Sequence, residues 1–321
     1  MTPAHARRVV DAAAFGGRAD GRVGLECEVL VYDAADPFAP IDRDRLGAAL
    51  ADVGGLGGCL VTFEPGGQLE LSTPPSGDVG AACRAMATGM ASVEGALAEA
   101  GLEPAGVGLD PLRPPHRIVS APRYDAMEAF FDAEGDAGRR MMCSTASIQV
   151  NLDGATEDRW ALAHAVSPVL AAAFANSALS AGRPTGRRSA RLANWWDIDA
   201  SRTAPAEPCT RAAWVDYVMD ARVMLVRADE HRYVPLRERL TFGKWVQDGH
   251  PLGYPTEDDL HYHLTTLFPP VRPRRHLELR IIDALPSPWW QVAAAVATAL
   301  LDDDRAAAAA RVATESTAGL W

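Results

Sequence analysis

The sequence predicts an α+β fold organised around a large antiparallel or mixed sheet. Three observations carry that expectation. Strand-like alternation occurs near residues 22–32, 59–72, 145–153 and 275–283. Helical patterns occur near 80–100, 159–180, 211–226 and 289–310, the first closed by Gly101. The strand segments lie far apart in the chain, separated by helices or by Pro/Gly-rich connectors at 103–122, 182–188, 203–208 and 249–256. No internal repeat and no long flexible linker interrupts the 321 residues, so one domain over 1–321 is expected.

Composition narrows the function classes. Apolar residues make up 48% and charged residues 23%, enough to bury a core and exclude general disorder. The net charge of −11 argues against nonspecific nucleic-acid binding, which needs a basic surface, but leaves room for a small anion held by local arginines. The opening MTPAHARRVVDAAAFGG has no apolar secretory core. Residues 160–182 carry no formal charge, yet His164, Ser167, Pro168, Asn176, Ser177, Ser180 and many alanines make this a buried helix rather than a membrane span. Five cysteines (27, 59, 83, 143, 209) form no C-x-x-C pair, which fits free thiols in a cytoplasmic chain.

The chemistry gathers on one strand face. Successive strand side chains point to opposite faces. In the first strand Val23, Leu25, Cys27 and Val29 share one side, leaving Glu26 and Glu28 on the other and Cys27 in the core. In the next, Val61 and Phe63 oppose Thr62 and Glu64. After the Pro65-Gly66-Gly67 turn, Leu69 and Leu71 oppose Gln68, Glu70 and Ser72. Ile148, Val150 and Leu152 oppose Thr145, Ser147, Gln149, Asn151 and Asp153. Leu277, Leu279 and Ile281 oppose His276, Glu278 and Arg280. Strand by strand, each polar face reads as solvated. Together they collect five Glu with Gln and Asn and no Lys, and facing like charges destabilise a sheet unless cations lie between them. All-oxygen ligation suits Mg²⁺, Mn²⁺ or Ca²⁺, and these strands could hold two or three such ions.

Arg183, Arg187, Arg188, Arg191 and Arg202 fall in a Pro/Gly-marked stretch read as a loop. Arginine forks bind phosphate and carboxylate, so metal-holding Glu plus this stretch suggests Mg-nucleotide chemistry; alternatively the loop is solvated and pairs with Asp197 and Asp199. No Walker A loop is present, because Gly54-Gly-Leu-Gly-Gly lacks the following Lys-Ser/Thr and Gly243-Lys244 runs into Trp245. His261-Tyr-His263 has metal-compatible spacing, although structural hydrogen bonds explain it as well. The Trp pairs 195–196 and 289–290 read as packing residues. No nucleophile triad is legible.

Several blocks carry a family likeness: Glu26-Cys-Glu28, Phe63-Glu-Pro-Gly-Gly-Gln-Leu-Glu-Leu-Ser72, Met141-Met142 with 145–153, 263–269, and Leu277-Glu-Leu-Arg280. In this order they resemble the plant-type glutamate–cysteine ligases, nearest their actinobacterial branch in ergothioneine biosynthesis, from about Gly21 to about Leu301. The resemblance implies a glutamine-synthetase-like antiparallel sheet curved into a funnel, with helices packed on its outer face. It implies ATP-dependent joining of L-glutamate and L-cysteine through γ-glutamyl phosphate. By the same resemblance Glu28, Glu64 and Glu70 would hold one Mg²⁺, and Glu26, Gln149 and Glu278 another. Arg280, Arg191 and Arg202 would be catalytic. Gln68, Thr145, Gln149, Asn151, Arg187 and Arg188 would contact substrate or nucleotide. Two competing readings are a related ligase using another amine and a non-catalytic nucleotide-binding paralogue. Comparable family members run on with further helices, so a missing or shortened C-terminal helical region is expected here, with stability affected more than chemistry.

Overall fold

The computed structural model describes residues 1–229 and 232–321. Its strands are β1 (Val23–Asp33), β2 (Leu60–Phe63), β3 (Leu69–Ser72), β4 (Leu102–Ala105), β5 (Ser147–Asp153), β6 (Leu179–Ser180), β7 (Arg183–Pro184), β8 (Leu225–Arg227), β9 (Tyr233–Pro235), β10 (Val271–Pro273) and β11 (His276–Asp283). Seven of them form one sheet in the order β10-β11-β5-β1-β3-β2, with β4 paired to the far end of β1. Every pairing is antiparallel. The pairs β6–β7 and β8–β9 are separate two-stranded hairpins.

The period-two reading holds across this sheet. Leu25, Cys27, Leu69, Leu71, Ile148, Val150, Leu152, Leu277 and Leu279 are all buried in one hydrophobic cluster. Helices Val79–Glu99, Glu157–Ala173 and Trp289–Asp302 pack against the sheet strands, and each contributes buried residues to that cluster. One irregularity changes the face. The β11–β5 register shifts between Leu279 and Ile282, so Asp283 comes opposite Ser147. Strict alternation from Glu278 would place Asp283 with the core residues; the bulge turns it to the polar side instead.

Several helices differ from the expected spans. The expected 159–180 helix is Glu157–Ala173, and its last predicted residues form β6. The expected 211–226 helix ends at Asp220, and Leu225–Arg227 is a strand. The expected 289–310 helix is two, because the Asp303 carboxylate accepts the Arg305 and Ala306 amides and starts the helix Asp304–Ala313. The arginine stretch is not one loop: it contains helices Ala190–Trp196 and Ala200–Thr203. Trp289 is 58% exposed, which corrects its reading as a packing residue, whereas Trp290 is buried. No helix among the described residues is long and apolar enough to cross a membrane. All five cysteines are free, and Cys27 lies in the core.

Candidate active site

The polar face of the sheet forms the floor of a cavity of about 230 Å³. Glu26 and Glu28 come from β1, Glu70 from β3 directly opposite Glu28, and Gln149 from β5 directly opposite Glu26. Glu64 reaches the same cavity from the turn after β2. Two contacts close that turn: the Glu64 amide donates to the Gln68 carbonyl at 2.9 Å, and the Gly67 amide donates to the Glu64 carbonyl at 2.8 Å. The turn needs its glycines. A Cβ on Gly66 would stand 2.2 Å from the Cys143 carbonyl oxygen, and Gly67 has φ +86°.

Amides and hydroxyls tie this floor together. Gln149 Nε2 donates to Glu28 at 3.2 Å, Asn151 Nδ2 to Glu26 at 3.1 Å, and the Thr62 hydroxyl to Glu70 at 3.1 Å. The Ser147 amide donates to Glu28 at 2.8 Å. Gln68 is buried, and its amide holds the Thr145 carbonyl at 2.8 Å, while Thr145 returns its hydroxyl to the Met141 carbonyl. The carbonyl oxygens of Gln68 and Asn151 are buried without a donor. Met127, Met141, Met142, Trp195 and Phe268 form an apolar wall over the carboxylates.

At the β11 side stands a guanidinium cluster. Arg272 lies directly opposite Glu278 on the β10–β11 hairpin and grips both its oxygens, at 2.9 and 2.8 Å. Arg280 bridges Glu278 and the Gln149 carbonyl oxygen, the latter at 2.7 Å. Arg274 touches Glu278 at 3.4 Å. The sequence reading did not single out Arg272. Its signal was present, since a hairpin through 274–276 sets residue 272 against 278, but a three-residue edge strand is too short for periodicity to reveal.

The two ends of the cavity differ electrostatically. Burial, then repulsion from Glu64, pushes the Glu28 carboxyl up to about 7. Glu64 is likewise raised to about 7 by burial and then Glu70, and Glu70 to about 7 by burial and then Glu28 and Glu26. Glu26 is raised by burial and then by Glu278. Burial would raise Glu278 too, but Arg272 and Arg280 outweigh it and hold this carboxyl well below the usual range. Mutually repelling carboxylates that line the cavity therefore stand next to a neutralised, guanidinium-bound one, Glu278, outside its lining.

The donor chemistry fits divalent ions: clustered carboxylate and amide oxygens, without thiol or imidazole, and in a repulsive arrangement that cations relieve. The side chains are not gathered into a finished cage. Among the described residues, no group of three or more His, Cys, Asp or Glu could hold a metal ion as positioned. Both Glu278 oxygens are engaged by arginines, so its expected ligand role requires Arg280 to turn away first.

Four of the expected arginines, Arg202, Arg187, Arg188 and Arg191, do not line the cavity. Arg202 is fully buried; its donors go to Asp199 at 3.0 Å and to the Thr266 and Arg222 carbonyls at 2.8 and 2.7 Å. It ties three segments together and does not line the cavity, which corrects its catalytic assignment. Arg187 and Arg188 are exposed, and Arg188 lines a different pocket with Asn176 and Leu179, so neither reaches the carboxylates. Arg183, on β7, is also exposed. Arg191 sits one layer behind the floor: it pairs with Asp283 at 3.5 Å and donates to the Arg280 carbonyl at 2.5 Å. It positions Arg280 rather than touching the cavity. His263 is buried against the Val218 carbonyl at 3.1 Å, a structural role, and His261 is exposed on the same helix.

Comparison with known proteins places the chain in a family. The chain is 43% identical over 316 residues to glutamate–cysteine ligase EgtA of Mycolicibacterium smegmatis, covering 94% of this chain and 74% of that protein. It is 41% identical over 319 residues to the Mycobacterium tuberculosis EgtA, with 94% and 73% coverage. The chloroplastic glutamate–cysteine ligase of Arabidopsis thaliana is 31% identical over 248 residues, or 73% of this chain and 47% of that enzyme. The sequence pattern of glutamate-cysteine ligase family 2 matches residues 22–319, and the chain belongs to that family.

Proposed function

We propose that this protein joins the γ-carboxylate of L-glutamate to the amine of L-cysteine at the expense of ATP, giving γ-glutamylcysteine for ergothioneine biosynthesis. The observation that carries the reading is the sheet face itself: Glu26, Glu28, Glu64 and Glu70 opposite the Arg280 fork, in one cavity, in a chain of this family. The mycobacterial relatives named as glutamate–cysteine ligases support the substrate pair.

Two or three divalent ions, Mg²⁺ foremost and Mn²⁺ as a substitute, supply the charge neutralisation that lets phosphate and carboxylate approach. Glu28, Glu64 and Glu70 would hold one ion; Glu26 and Gln149 would hold another, joined by Glu278 once Arg280 swings onto phosphate. Arg280 is placed to fork the transferred phosphoryl group, where negative charge develops as γ-glutamyl phosphate forms. Arg272, paired with both Glu278 oxygens, keeps that carboxylate ionised. Gln68 lines the cavity, and Asn151 stands outside its lining, where it would hold Glu26 in place. The Met127, Met141, Met142, Trp195 and Phe268 wall excludes water from the acyl phosphate, which water would otherwise hydrolyse. These groups are spread along the chain between positions 26 and 280, consistent with one catalytic domain over 1–321.

The test is ADP release with glutamate, ATP and Mg²⁺, screened across amines. Cysteine-stimulated turnover supports the reading. Stimulation solely by another amine makes the protein a γ-glutamyl ligase of different acceptor specificity, and bound nucleotide without turnover makes it a non-catalytic paralogue.

A further inference from the structure

A second cavity of about 260 Å³, similar in volume to the carboxylate site, lies at the free edge of β10. The end of the first helix (Pro3–Ala14) contributes Ala13 and Ala14, the helix Arg211–Asp220 contributes Trp214, and the helix Glu257–Thr265 contributes Leu264. Pro273 completes the apolar wall, and the polar side is Arg272 and Arg274 with His261 and Thr265. No carboxylate lines it.

The polar groups around it are donors in need of acceptors. Arg274 is half exposed and makes one long contact, 3.4 Å to Glu278. Arg272 spends one side of its guanidinium on Glu278 and one N–H on the Leu267 carbonyl, leaving two of its five N–H groups. A carboxylate or phosphate answers both arginines, and the Ala, Leu, Pro and indole surface suits an apolar body attached to it.

We propose that this cavity is a binding site for a small organic anion, a carboxylate or phosphate monoester with an apolar body, separate from the carboxylate cavity and coupled to it through Arg272. Arg272 lines both cavities. A ligand that draws Arg272 and Arg274 toward the second cavity weakens their hold on Glu278 and frees that carboxylate for a cation. Anion and divalent ion therefore bind with positive cooperativity, each raising the affinity of the other. The coupling rests on the proposed ion-binding role of Glu278; the site itself does not.

Phenyl phosphate is the probe, with inorganic phosphate and phenol as half-probes. On the full chain, phenyl phosphate should quench tryptophan fluorescence saturably and raise the melting temperature, and neither half-probe should match it. Arg274→Ala should weaken the probe by about tenfold, the usual loss for one charge-assisted hydrogen bond. Ala13→Leu should weaken it comparably by filling the apolar side, with circular dichroism confirming that the variant is folded. Calorimetric titration of Mg²⁺ should show tighter binding with the probe present. Probe binding that survives both substitutions, or one-for-one displacement of the probe by ATP, overturns the separate site. Probe binding without any change in Mg²⁺ affinity leaves the site standing and overturns the coupling, and with it the role given to Glu278.

Discussion

Glu64 lines the cavity and Glu278 lies buried beside it, yet their removal has opposite consequences for the fold. Glu64 is crowded by Glu70, so Glu64→Gln removes repulsion while keeping shape. In ion-free buffer near neutral pH this variant should melt higher than the parent, and it should lose nearly all turnover. A lower melting temperature would contradict the like-charge account. Glu278 is 1% exposed and held by three arginines. Glu278→Gln leaves those cations uncompensated and should cost about 3 kcal/mol in chemical denaturation, besides abolishing turnover. An unchanged unfolding midpoint would show that the arginines find other partners. Arg280→Lys exchanges a planar guanidinium, one terminal nitrogen of which contacts both Glu278 and Gln149, for a point charge. It should lower kcat by about 10² while the protein still melts normally; parent-like kcat would remove Arg280 from phosphoryl transfer.

The turn Glu64–Gly67 is the element on which the site depends most. It carries Glu64 and abuts the segment before β5 through Gly66 and Cys143. The Pro65 carbonyl also accepts the Ile118 and Val119 amides, at 2.8 and 3.0 Å, so the turn is held from two sides and cannot drift. Gly66→Ala has no backbone-neutral solution and should cost about 3 kcal/mol, with activity falling even below the unfolding transition. Full activity in that variant would mean that the turn does not fix Glu64. The β11 bulge is the second decisive element. It keeps Arg280 in the cavity and brings Asp283 behind it, where Asp283 accepts the Asn176 amide, the Ser177 and Ser189 hydroxyls and Arg191. The helices that carry Arg191 and Arg202 have seven and four residues, too few turns for periodicity to distinguish them from loop.

For the whole molecule, the acidic cluster couples stability to pH and to divalent ions. Glu28, Glu64 and Glu70 titrate near 7 when folded, against an ordinary value of 4.5. Between those values the unfolded chain has released protons that the folded protein still holds, so stability from these groups is greatest below about 4.5 and is lost as pH rises through 7. Divalent cations compete with those protons and bind the folded state. Mg²⁺ should therefore raise the melting temperature more at about pH 8 than at about pH 5.5, and chelation should reverse the gain. An equal or larger increment at the lower pH would place the ions away from these carboxylates. Part of the net charge of −11 is thus concentrated on one internal face instead of being spread over the surface.

The sequence by itself determined the sheet faces and the carboxylate set, because a period of two assigns a side to every residue of a regular strand and the apolar partners Leu25, Leu69, Val150 and Leu277 leave no choice of side. It also singled out Gln68, Gln149, Asn151 and Arg280, which share strands with those residues. Only the tertiary structure decided which arginines matter. A guanidinium reaches several ångströms from its backbone, so its partner depends on what the fold brings near: Arg202 goes to Asp199 and two carbonyls, Arg191 to Asp283, and Arg272 to Glu278. Asp283 was equally hidden, since its side of the sheet is set by a bulge, a departure from the period on which the sequence reading relies.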